Sequence, residues 1–158
     1  MEIIQGSDFE ITITMDDTHV WNDKVYRVTI VKDFSNTAFN GSTETGKLAF
    51  GDAYVPVSSS GGTPVNVNTL GIGKITIAPS NTLPLSAPYT RTGGTITIGI
   101  DQAKTAALDD DFEGYWDLLE RTPKDLVDSA LTTAHEFTRQ GQGEVYVNAG
   151  ATVPGDFD

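Results

Sequence analysis

The chain has 158 residues, with Lys+Arg 10 against Asp+Glu 22 for a formal net charge of -12, and Cys 0. That charge argues against nucleic-acid binding by phosphate neutralisation and against attraction to an anionic membrane surface. The cysteine count removes disulfides, thiolate nucleophiles and zinc–thiolate sites.

One core suffices for this length, so a single domain is expected over 1–150, followed by an acidic tail at 151–158. Met1 to Gln5 has neither the basic nor the long apolar segment of a secretory signal, and no stretch approaches the roughly 20 apolar residues of a membrane span. A soluble, unprocessed chain is the expectation.

Asp8 to Thr14 alternates Phe9, Ile11 and Ile13 with Glu10, Thr12 and Thr14, which predicts a strand with one wet face. Met15 to Thr18 reads as the turn after it, and Val25 to Val31 as a second strand announced by Trp21, Asn22 and Asp23. Ser35 to Gly46 is polar and reads as a loop, Lys47 to Phe50 as a short strand. Gly51 to Gly73 is rich in Ser, Gly, Pro and Asn, with a loop tip at Ser58 to Gly62. Lys74 to Ala78 is a further strand, and Pro79 to Thr92 an irregular connection.

The clearest signal runs from Gly93 to Glu120. Ile96, Ile98 and Ile100 alternate with Thr95, Thr97 and Gly99, a half-buried strand with an isoleucine face. Asp101 then reads as the N-cap of about two helical turns through Leu108, because its carboxylate can accept from the free amides of a first turn. Tyr115 to Leu119 reads as a returning strand. In immunoglobulin-like sandwiches a short helical link crosses between sheets and a tyrosine opening the next strand bonds back across the corner, which makes Tyr115 the candidate corner tyrosine.

Beyond Glu120, Leu126, Val127, Ala130, Leu131, Ala134 and Phe137 share one helical face, so a helix is predicted from Lys124 to His135, with a strand starting at Phe137 as the alternative. Gln140 to Gly143 reads as a tight turn and Glu144 to Asn148 as the closing strand. The fold class expected is mainly β: a two-layer antiparallel sandwich, immunoglobulin-like, with a short helical corner and one extra helix.

Little of the chain suggests catalysis. Gly41 to Leu48 has the glycine spacing and lysine of a phosphate-binding loop, but Leu48 stands where a hydroxyl is needed and a strand follows instead of a helix. Asp109, Asp110, Asp111 and Glu113 could offer oxygens to calcium, although an acidic run at a corner is more often a solvated loop. His19 and His135 sit far from any nucleophile motif. No enzyme activity, metal or cofactor is expected. Among the aromatics, Trp21, Tyr54, Tyr89 and Trp116 are the interface candidates, since Trp and Tyr commonly anchor protein contacts; the alternative for each is a place in the core.

Five patches carry a family likeness: QGSDFEITITMDD, VYRVTIVKD, GGTITIGIDQAKTAAL, GYWDLLE and GEVYVNAGATV. Together they resemble the small β-sandwich module of bacteriophage tail proteins, in particular the N-terminal domain of the phage baseplate upper protein family. Asn22 and Asp23 depart from the usual Thr-Gly turn, and Gly51 to Thr92 and Pro123 to Arg139 are longer than that module requires.

The resemblance implies a noncatalytic virion protein, assembled in the host cytoplasm. It would join tail, baseplate or fibre components in symmetric multi-copy contacts with other phage structural proteins. A capsid decoration protein is the alternative, and a carbohydrate-binding module the third reading.

Overall fold

Alternating isoleucines need a second layer to cover them, and the strand pairing supplies one. The computed structural model describes residues 1–22, 24–32, 47–54, 73–83, 90–108, 112–122 and 136–149. Among these residues nine strands and one short helix follow in chain order: β1 (Glu2–Ile4), β2 (Phe9–Val20), β3 (Val25–Lys32), β4 (Lys47–Ala53), β5 (Lys74–Ala78), β6 (Asn81–Leu83), β7 (Thr90–Ile100), α1 (Gln102–Thr105), β8 (Phe112–Thr122) and β9 (Glu136–Asn148).

One sheet has the order β1-β9-β8-β3-β4; the other runs β2-β7-β5, with β6 also on β7. Consecutive β2 and β3 lie in opposite sheets, as do β4 and β5, and β7 and β8. This is the Greek-key crossing pattern of an immunoglobulin-like sandwich. Between the layers, Ile75, Ile77, Ile96, Ile98 and Ile100 meet Tyr26, Val28, Ile30, Phe50, Leu118, Val145 and Val147 in one buried cluster.

The helical corner forms where the sequence predicts it but is a single turn, Gln102–Thr105, instead of two turns through Leu108. Asp101 caps α1, accepting from the Lys104 amide at 3.0 Å, and buried Thr105 donates to the Ser7 carbonyl at 2.7 Å, which ties the corner to the start of β2. Lys74–Ala78 is a strand with the expected bounds.

Several expectations give way to longer strands. Met15 to Thr18 is no turn between strands but lies inside β2: Met15 stands opposite Gly94 and Val20 opposite Thr92, so Asp16 to His19 face Gly93 alone. Asp16 Oδ1 accepts from both the Thr18 amide (2.9 Å) and hydroxyl (2.7 Å), coiling the chain locally within a continuing strand. Gln140 to Gly143 likewise lies inside β9, where Leu118 pairs with Gly141 and Leu119 with Arg139, leaving Gln140 as a bulge.

The connection from Pro79 to Thr92 contains β6 and the start of β7. Sheet pairing is antiparallel except at β1, which joins β9 in parallel. The predicted helix at 124–135 lies outside the described residues, as does the tail at 151–158; Phe137 is part of β9.

Gly94, with φ 91°, brings β7 against the end of β5: a Cβ there would lie 2.0 Å from the Ala78 carbonyl oxygen. We expect Gly94→Ala to destabilise the fold by roughly 3 kcal/mol in urea denaturation, from left-handed backbone strain plus a clash with main chain. A loss under about 1 kcal/mol would show that the two strands can part without cost.

Candidate protein-binding face

The period of two along β3, β8 and β9 sorts side chains between core and solvent. Val28, Ile30, Trp116, Leu118 and Val145 turn inward, while Val31, Tyr115 and Glu144 turn outward. Strand register aligns the outward set into rows, Val31–Tyr115–Glu144 and Thr29–Asp117–Gln142. With Arg139, whose Nε lies 3.3 Å from Asp117 Oδ2, these rows line an open groove of about 520 Å³. Tyr115 is 54% exposed within it.

Trp116 sets this arrangement from behind. Its indole lies against β9 where Gly141 and Gly143 stand: a Cβ on Gly141 would be 3.0 Å from the ring and 3.2 Å from Ile13 of the other sheet, and one on Gly143 would be 3.1 Å from the indole nitrogen. Larger residues would push the ring off the strand.

At the far end of the same face, Arg27 holds Asp52 through a two-pronged pair, Nε–Oδ1 and Nη2–Oδ2, both 2.7 Å. Asp52 reaches it from a bulge in β4, in the left-handed region at φ 47°.

Behind that end, between the sheets, is a buried polar cluster. Tyr26 Oη donates to Glu120 Oε2 at 2.9 Å and lies 2.8 Å from His19 Nε2, which fixes the Nε2–H form of the imidazole as the donor to Tyr26. Glu120, 5% exposed, also accepts from Gln140 Nε2 at 3.0 Å and pairs with Lys24 Nζ at 3.4 Å. The bulge at Gln140 is what points that amide inward.

Burial, and then the Glu120 carboxylate, push the Tyr26 phenol far up, so it stays protonated. Burial is also the main cause lowering His19, opposed by Glu120 and reinforced by Lys24. The cluster's polar groups are spent on one another. Its arrangement suits holding β2, β3, β8 and β9 together and offers no nucleophile, and the groove lies on the other side of the sheet.

The interface candidates fall differently from expectation. Trp21 is 1% exposed, with Nε1 donating to the Gly93 carbonyl at 2.6 Å and its ring T-shaped to that of His19, so it takes a place in the core, the alternative stated for it. Trp116, 8% exposed, is mainly core but borders the groove. Tyr54 is half-buried beside the end of β4, and Tyr89 lies outside the described residues.

Tyr115 is no buried corner tyrosine, because strand parity turns it to solvent; the buried, hydrogen-bonded tyrosine is Tyr26, on β3. Val31, Asp117 and Arg139 were missing from the sequence reading of the face; alternation through VYRVTIV and GYWDLLE could have found Val31 and Asp117, whereas Arg139 stands next to the Gln140 bulge, which breaks the alternation of β9. Asp109 to Asp111 lie outside the described residues, and among those described no three His, Asp or Glu side chains gather as metal ligands.

Fold and face together define a β-sandwich with an exposed, aromatic-bearing sheet. No family model and no curated protein matches the chain. Among solved structures it is similar to one from a photo-crosslinking study of multimeric cell-adhesive interactions of VGSC beta subunits, 12% identical over 96% of this chain and 91% of that one, with a TM-score of 0.40. A likeness at that level carries no argument about what this chain binds.

Two outcomes follow for stability. Tyr26→Phe should cost about 2 kcal/mol by leaving Glu120 short of a donor and His19 short of an acceptor, whereas Tyr115→Phe should stay within about 0.5 kcal/mol. Equal losses at both positions would contradict the assignment of the buried tyrosine. For His19, the unfolded value is near 6.5 and the folded value lower, so between them the unfolded chain binds the extra proton. Stability is therefore full above pH 6.5 and falls as pH drops through the window below it. Denaturation curves at pH 7.5 and 5.5 should show this fall in the wild type and a smaller one in His19→Asn; identical pH dependence in both would remove His19 as its source.

Proposed function

We propose that the chain is a noncatalytic structural protein of a bacteriophage particle, an adaptor of the tail, baseplate or receptor-binding fibre that docks other virion proteins through the outer face of its five-stranded sheet. The observation that carries the docking role is the groove of about 520 Å³ with Tyr115 standing exposed in it, since a solvent-facing tyrosine on a rigid sheet offers large contact area with little side-chain entropy to lose.

Placement in a virion rests on the five sequence patches. They fall on the elements that build this face and its backing: GGTITIGIDQAKTAAL on β7 and α1, GYWDLLE on β8, and GEVYVN on β9. These patches make the fold and hold no reactive constellation, which favours an architectural role over a chemical one.

The test is the copy number of the chain in purified particles, by quantitative mass spectrometry against the major capsid protein. A few to a few tens of copies are expected, as closed rings of repeated subunits provide. Near-equality with the capsid protein would replace the tail adaptor with a head decoration protein, and absence from particles would overturn the virion assignment.

A further inference from the structure

The end of the outer face nearest β1 differs from the rest in charge. Register places Glu2, Tyr146 and Glu113 in one row and Glu144, Tyr115 and Val31 in the next, all pointing away from the core. Each tyrosine thus has a carboxylate directly across the strand from it, and the two rings stand on a diagonal within reach of each other. Between them lies a recess of about 60 Å³ lined by Glu113, Gly114, Tyr115, Glu144 and Tyr146.

Tyr146 Oη donates to Glu144 Oε2 at 2.5 Å, which fixes that ring and carboxylate at the recess wall. On this face Arg139 pairs with Asp117 and Arg27 with Asp52, while the Met1 ammonium donates to the Glu144 main-chain carbonyl at 2.9 Å. Glu113 has no ion-pair partner among the described residues.

We infer that this recess takes a lysine or arginine side chain from an extended basic segment of a partner protein, the cation lying over the tyrosine rings and between the Glu113 and Glu144 carboxylates. Tyrosine faces attract cations through their ring quadrupoles, and neighbouring carboxylates add charge-assisted hydrogen bonds to a cation. A second copy of this chain is a poor occupant, because at a net charge of -12 it would bring further carboxylates to this face. The inference rests on the outer sheet face being a protein-docking surface and names the chemistry of what docks.

The test uses the full chain, labelled with nitrogen-15 and titrated with a blocked five-residue peptide alternating serine and arginine, alongside its serine–glutamate counterpart. The arginine peptide should give saturable shifts confined to residues 113–115 and 144–146. Its affinity should drop roughly tenfold in Glu113→Gln/Glu144→Gln, and also when salt rises from about 0.05 to about 0.3 M. Both glutamates are exposed, so the double variant should melt as the wild type does; Tyr115→Leu offers a second variant that keeps the charge and should weaken binding by itself.

Absent shifts, shifts spread over all acidic surfaces, or affinity unchanged in the variants would overturn the inference. Chain present in particles with peptide binding indifferent to the variants would sink the basic-segment assignment alone. Localised peptide binding by a chain absent from particles would sink the adaptor role alone.

Discussion

The indole of Trp116 is the constraint on which the rest of the sheet face depends. It lies on the inner side of β8 against a stretch of β9 that has two glycines, with Ile13 of the opposite sheet meeting it over Gly141. Once that ring is inside, period-two geometry leaves Tyr115 and Asp117 no choice but to face solvent. A core contact between layers thereby decides which residues of β8 face solvent. The same glycines leave β9 without inward side chains at those two positions, so β8 and β9 stay paired over the ring, apart from one bulge at Gln140.

That bulge links the two ends of the sandwich. By adding one residue to β9 it turns Gln140 toward Glu120, completing a set of partners that also includes Tyr26, His19 and Lys24. A carboxylate this buried would be costly if left short of donors, so the cluster specifies how β2, β3, β8 and β9 meet as well as stabilising them. Trp21 closes the same end by donating to Gly93, the residue opposite the bulge in β2. Local departures from regular pairing are thus where the polar interior is assembled, while the regular stretches of β3, β8 and β9 carry the exposed rows.

The extent to which this was legible in the sequence follows from the range of each signal. The isoleucine alternation in β7, the Asp101 cap and the bounds of β5 are set by neighbours a few residues apart and could be read directly. The two-sheet, immunoglobulin-like class followed from strand spacing and the helical corner. Bulges were misread as turns at Met15 to Thr18 and Gln140 to Gly143, because Asp, Thr, Gly and Gln are turn residues whether a strand ends there or only kinks. Parity in GYWDLLE was available: Leu118 and Trp116 share a face, so a buried Leu118 implies a buried Trp116 and an exposed Tyr115. The Tyr26–Glu120–His19 cluster was not, since it joins positions as far as 101 residues apart (120 − 19) that only the sheet register brings together.

In the proposed adaptor role, the outer face built by β3, β8 and β9 is the surface a partner covers. Hydroxyl-radical footprinting of the free chain and of assembled particles tests it most directly, with buried Trp21 as the internal reference. Oxidation of Tyr115 and Tyr146 should be fast in the free chain and fall roughly tenfold in the assembled state, while Trp21 stays slow in both. Tyr115 oxidised at the same rate in both states would contradict the claim and move the interface to another surface of the sandwich.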